Sequence, residues 1–196
     1  MENNNISGIL WRRLKYQLCP QLDIYKHIAP RVSGKRVWEV GFGTGLGTVQ
    51  LAAKAKSVYA TEIDPLAVDF AKEVFALPNI TWMLGDVTES NTSNTHDVIV
   101  CLEVLEHISK WQSALRNMSE RLTSDGVLII SGPNANAGLR KNDKHEREWT
   151  ADEFRDALGK YFSEVSLWDY TLSEEQGMDT RVTPIIAVCK HGKAQE

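Results

Sequence analysis

Short hydrophobic runs alternate along the chain with segments in which hydrophobic residues recur every three or four positions. The runs are typical of β-strands, and the segments are typical of α-helices. The pattern predicts seven strands, at Arg36–Val40, Ser57–Thr61, Ile80–Leu84, Asp97–Leu102, Val127–Ser131, Val165–Leu172 and Arg181–Cys189. The last two strands have no helical pattern between them, so one of this pair is expected to run antiparallel.

Helices are predicted between most of these strands, and two more precede the first. Pro65 suits the first turn of a helix, and Thr150 with Glu153 forms the pattern of a capping box. The predicted helices are Leu10–Leu18, Leu22–Ile28, Leu46–Lys54, a segment from Pro65, Ser109–Leu122 and a segment from Thr150 to about Leu158. Thr88–Thr95 and residues 132–148 are predicted loops, and Asp125–Gly126 is a predicted turn. The alternation predicts an α/β fold around a mostly parallel sheet.

The 196 residues are 42% hydrophobic and 24% charged, which is typical of one soluble globular domain. The longest hydrophobic runs are too short to span a bilayer, and no basic-then-apolar leader opens the chain, so neither a membrane span nor secretion is expected. Cys19, Cys101 and Cys189 are far apart, which argues against a disulfide framework, a zinc knuckle or a dithiol redox site. This cysteine usage favours a cytoplasmic location.

The net charge of −4 excludes a generally basic nucleic-acid-binding protein, but the charge is unevenly distributed. Residues 1–36 hold seven Lys/Arg against two acids, whereas residues 37–109 hold three against ten. A solvated surface can show such a split by chance. The alternative is a positive N-terminal flank beside an acidic ligand pocket. That alternative predicts N-terminal helices in residues 1–34 that form a lid over a core of residues 35–196.

A run of glycines follows the first predicted strand, at every second position from Gly41 to Gly47. Ligands of α/β sheets bind at such a strand-to-helix turn, where glycine lets them approach the backbone. A dinucleotide fingerprint beginning at Gly41 would require a glycine at position 46, which is Leu46. Glu39, just before the run, would repel a pyrophosphate but attract an ammonium group. Tight packing of strand and helix is the structural alternative.

Acidic residues follow the next two predicted strands. Glu62 stands twenty-one residues after Gly41, where a carboxylate can accept hydrogen bonds from both hydroxyls of a ribose. Asp86 ends the third strand and could accept a hydrogen bond from an adenine amine. Each acid alone fits a surface or capping role, but their placement at successive strand ends indicates one ligand.

This ordered set of motifs resembles the class I S-adenosylmethionine-dependent methyltransferases over roughly residues 35–190. The resemblance implies a Rossmann-like, mostly parallel seven-stranded sheet with helices on both faces and an antiparallel last strand pair. It also implies that S-adenosylmethionine binds at Glu39, Gly41, Gly43, Gly45, Glu62, Ile63, Asp86, Val87, Leu102 and Glu103. Many members carry a helix between the third and fourth strands, where this chain has the polar Thr88–Thr95 segment.

Two further clusters stand where chemistry on the methyl acceptor is expected. Glu103, Glu106 and His107 follow the fourth strand, and His145 lies in the long loop after the fifth. Methyl transfer from a sulfonium requires alignment of the acceptor and removal of its proton. His107 and His145 are therefore the predicted catalytic residues.

The segment around His107 resembles the branch that contains ubiquinone-biosynthesis and sugar O-methyltransferases. The same cluster also resembles the metal site of the small-RNA 3′-end 2′-O-methyltransferases. That second resemblance implies a divalent ion, Mg or Mn, held by Glu103, Glu106, His107 and His145, which would lower the pKa of an acceptor hydroxyl. The alternative is a base or pocket wall without a metal.

A small hydroxylated acceptor is favoured over RNA, because the chain is acidic overall and shows no basic stripe interleaved with aromatic residues. Arg12, Arg13 and Lys15 fit contact with an anionic acceptor and equally fit the solvated face of an amphipathic helix; Arg140, Lys141 and Lys144 add some weight to an anionic acceptor. Two alternatives to a small-molecule O-methyltransferase remain: an RNA 2′-O-methyltransferase with a divalent metal, and a non-catalytic S-adenosylmethionine-binding module.

Overall fold

The structure, a computed structural model, describes residues 20–89, 94–138, 143–168 and 184–191. Its strands are β1 (Arg36–Val40), β2 (Ser57–Glu62), β3 (Ile80–Leu84), β4 (His96–Leu102), β5 (Leu122–Gly132), β6 (Glu164–Trp168) and β7 (Ile185–Lys190). Its α-helices are α1 (Pro20–Ile28), α2 (Leu46–Ala52), α3 (Pro65–Val74), α4 (Trp111–Glu120) and α5 (Ala151–Gly159).

The seven strands form one mixed sheet in the order β3-β2-β1-β4-β5-β7-β6. Parallel pairing joins β1 to β2, β2 to β3 and β4 to β5. Strand β7 runs antiparallel to both β5 and β6. The predicted Rossmann-like α/β fold and the antiparallel last strand pair are both confirmed.

Contacts divide the chain into two compact units, residues 1–86 and 87–196. In the first unit, α3 begins where the sequence predicts. Asp64 caps the helix by accepting a hydrogen bond from the Leu66 amide at 2.9 Å, and Pro65 follows in the first turn. The helix buries a stripe of small residues, Ala67, Val68 and Ala71.

Helix α1 packs against α2 in the same unit. The contact is close because Gly47 in α2 faces the ring of Tyr25 in α1 without a side chain between them. Ile24 and Ile28 of α1 are fully buried, and so is Leu51 of α2. This packing confirms the predicted helix at Leu22–Ile28, although a role as a lid stays a prediction.

The second unit is built on β4, β5, β7 and β6. Helix α4 buries Ala114, Leu115 and Met118 at helical spacing. The predicted capping box of α5 is confirmed: the Glu153 amide donates to the Thr150 hydroxyl, and the Thr150 amide donates to the Glu153 carboxylate.

The predicted turn at Asp125–Gly126 was wrong, because these residues lie inside β5. The strand begins at Leu122 and pairs there with His96, and pairing resumes at Val127 opposite Val98. Four residues of β5, 123–126, therefore stand opposite the single residue Asp97 of β4, and the extra residues form an irregularity rather than a strand boundary. Turn-forming residues within an irregular strand produce the same sequence pattern as a connecting turn.

Other boundaries differ from the prediction by a few residues. Helix α4 is shorter at both ends than predicted, and Leu122 belongs to β5. No helix occurs in the described part of the β3–β4 connection, residues 85–89 and 94–95, as the polar sequence predicts. The helix predicted at Leu10–Leu18 and the outer parts of the last two predicted strands lie outside the described residues. So do Cys19, Arg12, Arg13, Lys15, Arg140 and Lys141.

Cys101 and Cys189 are buried thiols that are not joined in a disulfide. Across the described ranges, no helix combines the length and the apolar character needed to cross a bilayer.

We predict that Gly47→Ala destabilises the first unit by about 1–3 kcal/mol, because the new methyl group would overlap the buried Tyr25 ring. Urea unfolding of the purified protein measures this change. Gly159→Ala is the matched control, since no atom lies within 4 Å of its added methyl group. Equal stabilities of the two variants would contradict the assigned contact between α1 and α2.

Candidate functional site

The glycine run forms a sharply turning loop between β1 and α2. Gly41, Gly43 and Gly45 have positive φ angles of 71°, 58° and 83°. These angles suit glycine and disfavour other residues, so they explain the first three glycines of the run. The same loop passes close to an aromatic side chain: a Cβ on Gly45 would lie 2.8 Å from Cη2 of Trp82.

Glu62 at the end of β2 organises this loop. Its Oε2 accepts a hydrogen bond from the Gly43 amide at 2.9 Å, and its Oε1 accepts from the Ile63 and Asp64 amides at 2.9 and 3.1 Å. The Glu62 carboxylate therefore binds both the glycine loop and the end of β2, and keeps these two segments next to each other. Ile63 beside it is 67% exposed, a large apolar side chain without a covering group.

Glu39 is the buried acid of the first unit, with only 1% of its surface exposed. The Tyr25 hydroxyl donates to Oε1 at 2.7 Å, whereas Oε2 has no hydrogen-bond partner among the described residues. Burial raises the pKa of Glu39 to about 7; the hydroxyls of Thr48 and Tyr25 lower it in part, and the charge of Glu62 raises it further. An unpartnered buried carboxyl oxygen is costly and therefore suits a cationic ligand.

Tyr25 and Thr48 were missed by sequence reasoning. Tyr25 lies 14 residues before Glu39, in a helix whose position against the glycine loop no local pattern shows. Thr48 is fully buried in the first turn of α2. Its hydroxyl lies near enough to Glu39 to lower the pKa of that carboxyl, although it forms no hydrogen bond of good geometry with the described residues. Tyr25 and Thr48 therefore both place a hydroxyl group near Glu39, in the predicted donor site.

Three other residues are predicted to contact the methyl donor: Asp86, Val87 and Leu102. Asp86 is half-buried just after β3. Val87 is buried, and its carbonyl accepts a hydrogen bond from the Asn117 side chain at 2.9 Å. Leu102 is the buried last residue of β4.

Glu103 adopts a left-handed backbone conformation with a φ of 54°, which glycine tolerates better than glutamate. Ser131 at the end of β5 holds it there: the Ser131 hydroxyl donates to Glu103 Oε1 at 2.7 Å and accepts from the Glu103 amide at 3.1 Å. Burial raises the pKa of the Glu103 carboxyl, while the Ser131 hydrogen bond and the charge of His145 lower it. Left-handed conformations of this kind cluster at functional sites.

Glu106 lies in a short 3₁₀ turn, Leu105–His107, just beyond β4. Its side chain is 1% exposed, and its Oε2 has no hydrogen-bond partner within the described ranges. Burial raises the pKa of Glu106 to about 8, and the negative charges of Glu103 and Glu148 raise it further. The second unit thus contains its own incompletely paired buried acid.

The two histidines are held in defined tautomers. His107 Nδ1 lies 3.0 Å from the Lys144 carbonyl, and His145 Nδ1 lies 2.6 Å from Glu148 Oε1. Both partners can only accept, so each Nδ1 carries the proton, and in the neutral ring the lone pair is on Nε2. A nitrogen oriented in this way can serve as a base or as a metal ligand.

The structure brings His145 next to the neighbouring residues Glu106 and His107, although His145 lies 38 residues after His107 in the sequence. The two imidazole centroids are 4.9 Å apart. One ligand atom from each of the three residues lies within 4.8 Å of the other two. Glu103, the fourth predicted ligand, is engaged by Ser131 but lies near enough for the charge of His145 to lower its pKa. The group has the donor types that a divalent ion accepts.

Comparisons with known proteins agree with these observations. A family profile described as a methyltransferase domain matches residues 10–171. A mitochondrial ubiquinone biosynthesis O-methyltransferase from Schizosaccharomyces pombe is 31% identical over 104 residues, which is 50% of this chain and 38% of that protein. The chain therefore spans less than half the length of this curated relative.

Solved structures share the fold at low sequence identity. A chain from the complex between the Haloferax volcanii Trm112 methyltransferase activator and a methyltransferase superposes with a TM-score of 0.75 at 14% identity, covering 94% of this chain and 95% of that one. The N-methyltransferase NodS from Bradyrhizobium japonicum, solved with S-adenosyl-L-homocysteine, superposes with a TM-score of 0.70 at 19% identity, covering 97% and 100%.

The profile match covers most of the chain, and the seven-stranded sheet with its antiparallel last strand pair is the one that the resemblance implied. The chain therefore belongs to the class I S-adenosylmethionine-dependent methyltransferases.

Proposed function

We propose that this protein transfers the methyl group of S-adenosylmethionine to a hydroxyl oxygen of a small acceptor. The observation that carries this proposal is the pair of oriented imidazoles, His107 and His145, beside the buried acid Glu106. A group that removes a proton from the acceptor is needed for hydroxyl acceptors and has no use in a module that only binds the donor. The named O-methyltransferase activity of the Schizosaccharomyces pombe relative also supports oxygen as the acceptor atom.

On the donor side, we assign the ammonium group of S-adenosylmethionine to Glu39. A cation beside the unpartnered Oε2 would favour the ionised carboxylate and offset the cost of burying it. The ribose hydroxyls are assigned to Glu62 and the adenine to Ile63, Asp86 and Val87. The exposed apolar surface of Ile63 suits the face of an aromatic base.

The remaining donor assignments place Leu102 and Glu103 at the methionine moiety. The Ser131 hydrogen bonds fix the Glu103 side chain in one orientation, which suits a group that must contact a ligand reproducibly.

The proposed reaction is a single displacement. The acceptor oxygen attacks the methyl carbon in line with the carbon–sulfur bond, which breaks as the new carbon–oxygen bond forms. The sulfur keeps the electron pair, so S-adenosylhomocysteine leaves as a neutral thioether. The acceptor proton passes to Nε2 of His107, whose Nδ1–H remains bound to the Lys144 carbonyl.

Each of the two histidines lies next to a carboxyl group: His145 contacts Glu148, and His107 lies close to Glu106. Glu148 accepts from His145 Nδ1, which fixes the orientation of the ring. Glu106 Oε1 lies 3.9 Å from His107 Nε2, so an ionised Glu106 would stabilise the proton that His107 acquires.

A second candidate is metal-assisted methylation, as in an RNA 2′-O-methyltransferase. The ligand atoms of Glu106, His107 and His145, with Glu106 Oε2 lacking a hydrogen-bond partner in the described ranges, fit a divalent ion such as Mg or Mn. When bound, such an ion would lower the pKa of the acceptor hydroxyl. The residues named would hold it, with Glu148 orienting His145 from the opposite side of the ring.

The N-terminal residues are proposed to complete the site as a lid, and the acceptor is proposed to be anionic. Tyr25 in α1 already reaches Glu39, so the first helix of the described chain contacts the proposed donor site directly. Lys144 contributes a positive charge on the segment that carries His145.

We predict that Glu62→Ala weakens binding of S-adenosylhomocysteine at least tenfold. The substitution removes the acceptor of the ribose hydroxyls and also frees the Gly43 amide. Titration calorimetry measures the affinity. Glu73→Ala, an exposed acid on α3, is the control and should bind as the wild type does. Unchanged affinity of Glu62→Ala would refute the ribose assignment.

We predict that His107→Gln lowers turnover by about 10²–10⁴-fold and leaves donor affinity unchanged, because only proton removal is lost. The assay follows S-adenosylhomocysteine formation over a panel of phenolic and sugar hydroxyl acceptors. His191→Gln is the control, since His191 lies at the end of β7 and is not a member of the Glu106–His107–His145 group.

The same assay separates the two candidate functions. Activity that survives prolonged treatment with EDTA contradicts metal-assisted methylation and leaves His107 as the base. Activity that disappears with EDTA and returns with Mn²⁺ supports the metal. Full turnover by His107→Gln would contradict both.

A further inference from the structure

His145 lies on a segment, residues 143–149, that contains neither helix nor strand ladder. Its position is therefore set by individual contacts. The amides of Glu146 and Arg147 both donate to the carbonyl of Glu106, at 2.8 and 3.3 Å. On the other side of His145, the Lys144 carbonyl accepts from His107.

The side chain of Arg147 forms a second attachment. Its guanidinium carbon lies 5.6 Å from the ring centroid of Trp111 and 5.6 Å from that of Trp149. The two indoles are themselves 5.9 Å apart at an angle of 85°. We refer to these three residues as the Trp111–Arg147–Trp149 stack.

The stack joins the side chain of Arg147 to two other parts of the second unit. Trp111 is the first residue of α4. Trp149 is 1% exposed, its ring centroid lies 5.6 Å from that of Phe154, and its carbonyl accepts a hydrogen bond from the amide of Ala135, in the short turn that follows β5. A planar guanidinium on two indole rings gains cation–π attraction from both.

Arg147 is exposed, so a free arginine at this position would gain full hydration and rotamer freedom. Its contact with both indole rings therefore has a structural consequence rather than following from burial. It restrains the backbone two residues after His145 and supports the hydrogen bonds to the Glu106 carbonyl. Those bonds set the distance between the His145 segment and the turn that carries His107.

We propose that Arg147 and Trp111 are positioning residues that hold His145 against the Leu105–His107 turn. This inference rests on the proposed function insofar as it assigns His145 to the acceptor side. Neither residue touches the reacting atoms in this account. Both act through the segment that His145 occupies.

The test compares Arg147→Met, Trp111→Leu and Arg147→Lys in the full chain. Arg155→Met is the matched control, because Arg155 is an exposed arginine on α5 that pairs with Asp152. The first readout is amide hydrogen exchange at Glu146, measured by NMR, with the Ile129 amide in β5 as a reference for global stability. The second readout is kcat, with affinity for S-adenosylhomocysteine measured alongside.

We expect exchange at Glu146 to accelerate about tenfold in Arg147→Met and Trp111→Leu, as the loss of the paired ring contacts implies. Arg147→Lys keeps a cation and should recover part of this protection, whereas Arg155→Met should match the wild type. Exchange at Ile129 should not change in any variant. For Arg147→Met we also expect kcat to fall while the affinity for S-adenosylhomocysteine stays unchanged.

Unchanged exchange at Glu146 overturns the inference whatever happens to turnover. Faster exchange with wild-type kcat also overturns it, because the restrained position of His145 would then not matter to the reaction. Failure of the proposed function is recognised separately, by full turnover of His107→Gln.

Discussion

The structure depends on the way it buries two carboxyl groups without completing their pairing. Glu39 in the first unit and Glu106 in the second are each 1% exposed, and within the described ranges each has one oxygen without a hydrogen-bond partner. Burial raises their pKa values to about 7 and about 8. Such groups lower the stability of the ligand-free protein at neutral pH, since ionising them requires a charge in a poorly solvated position. A cationic ligand at Glu39, and a proton or a cation near Glu106, would offset that cost.

Other features of the site follow from keeping these acids in place. The glycine loop leaves room for a ligand close to the backbone, and Glu62 ties that loop to the end of β2. Ser131 holds Glu103 in a left-handed conformation near the Glu106–His107–His145 group. The histidines are oriented by a carbonyl and a carboxylate, so each is fixed before any acceptor arrives. The protein is thus preorganised mainly through hydrogen bonds to carboxylates, in keeping with a reaction whose donor is already activated.

The sequence predicted much of this because the informative signals were local. Seven hydrophobic runs, the capping box at Thr150 and the acids at strand ends are all visible within a few residues, and the strand order confirms the fold they imply. The wrong turn prediction and the missed contacts depend on how residues far apart in the chain pair with one another. Tyr25 reaches Glu39 across 14 residues, and Ser131 reaches Glu103 across 28. The irregular register within β5 made Asp125–Gly126 resemble a turn. Arg147 carries no local signal, since its partners are brought together only by the packing of α4 and the His145 segment.

The most direct test of the central claim is the number of protons released when S-adenosylhomocysteine binds at pH 6. Calorimetry in two buffers of different ionisation enthalpy measures this number. With a pKa of about 7, Glu39 is mostly protonated at pH 6, and pairing with the ligand ammonium would ionise it. The account predicts release of close to one proton by the wild type and none by Glu39→Gln. Binding without proton release by the wild type, or equal release by both proteins, would contradict it.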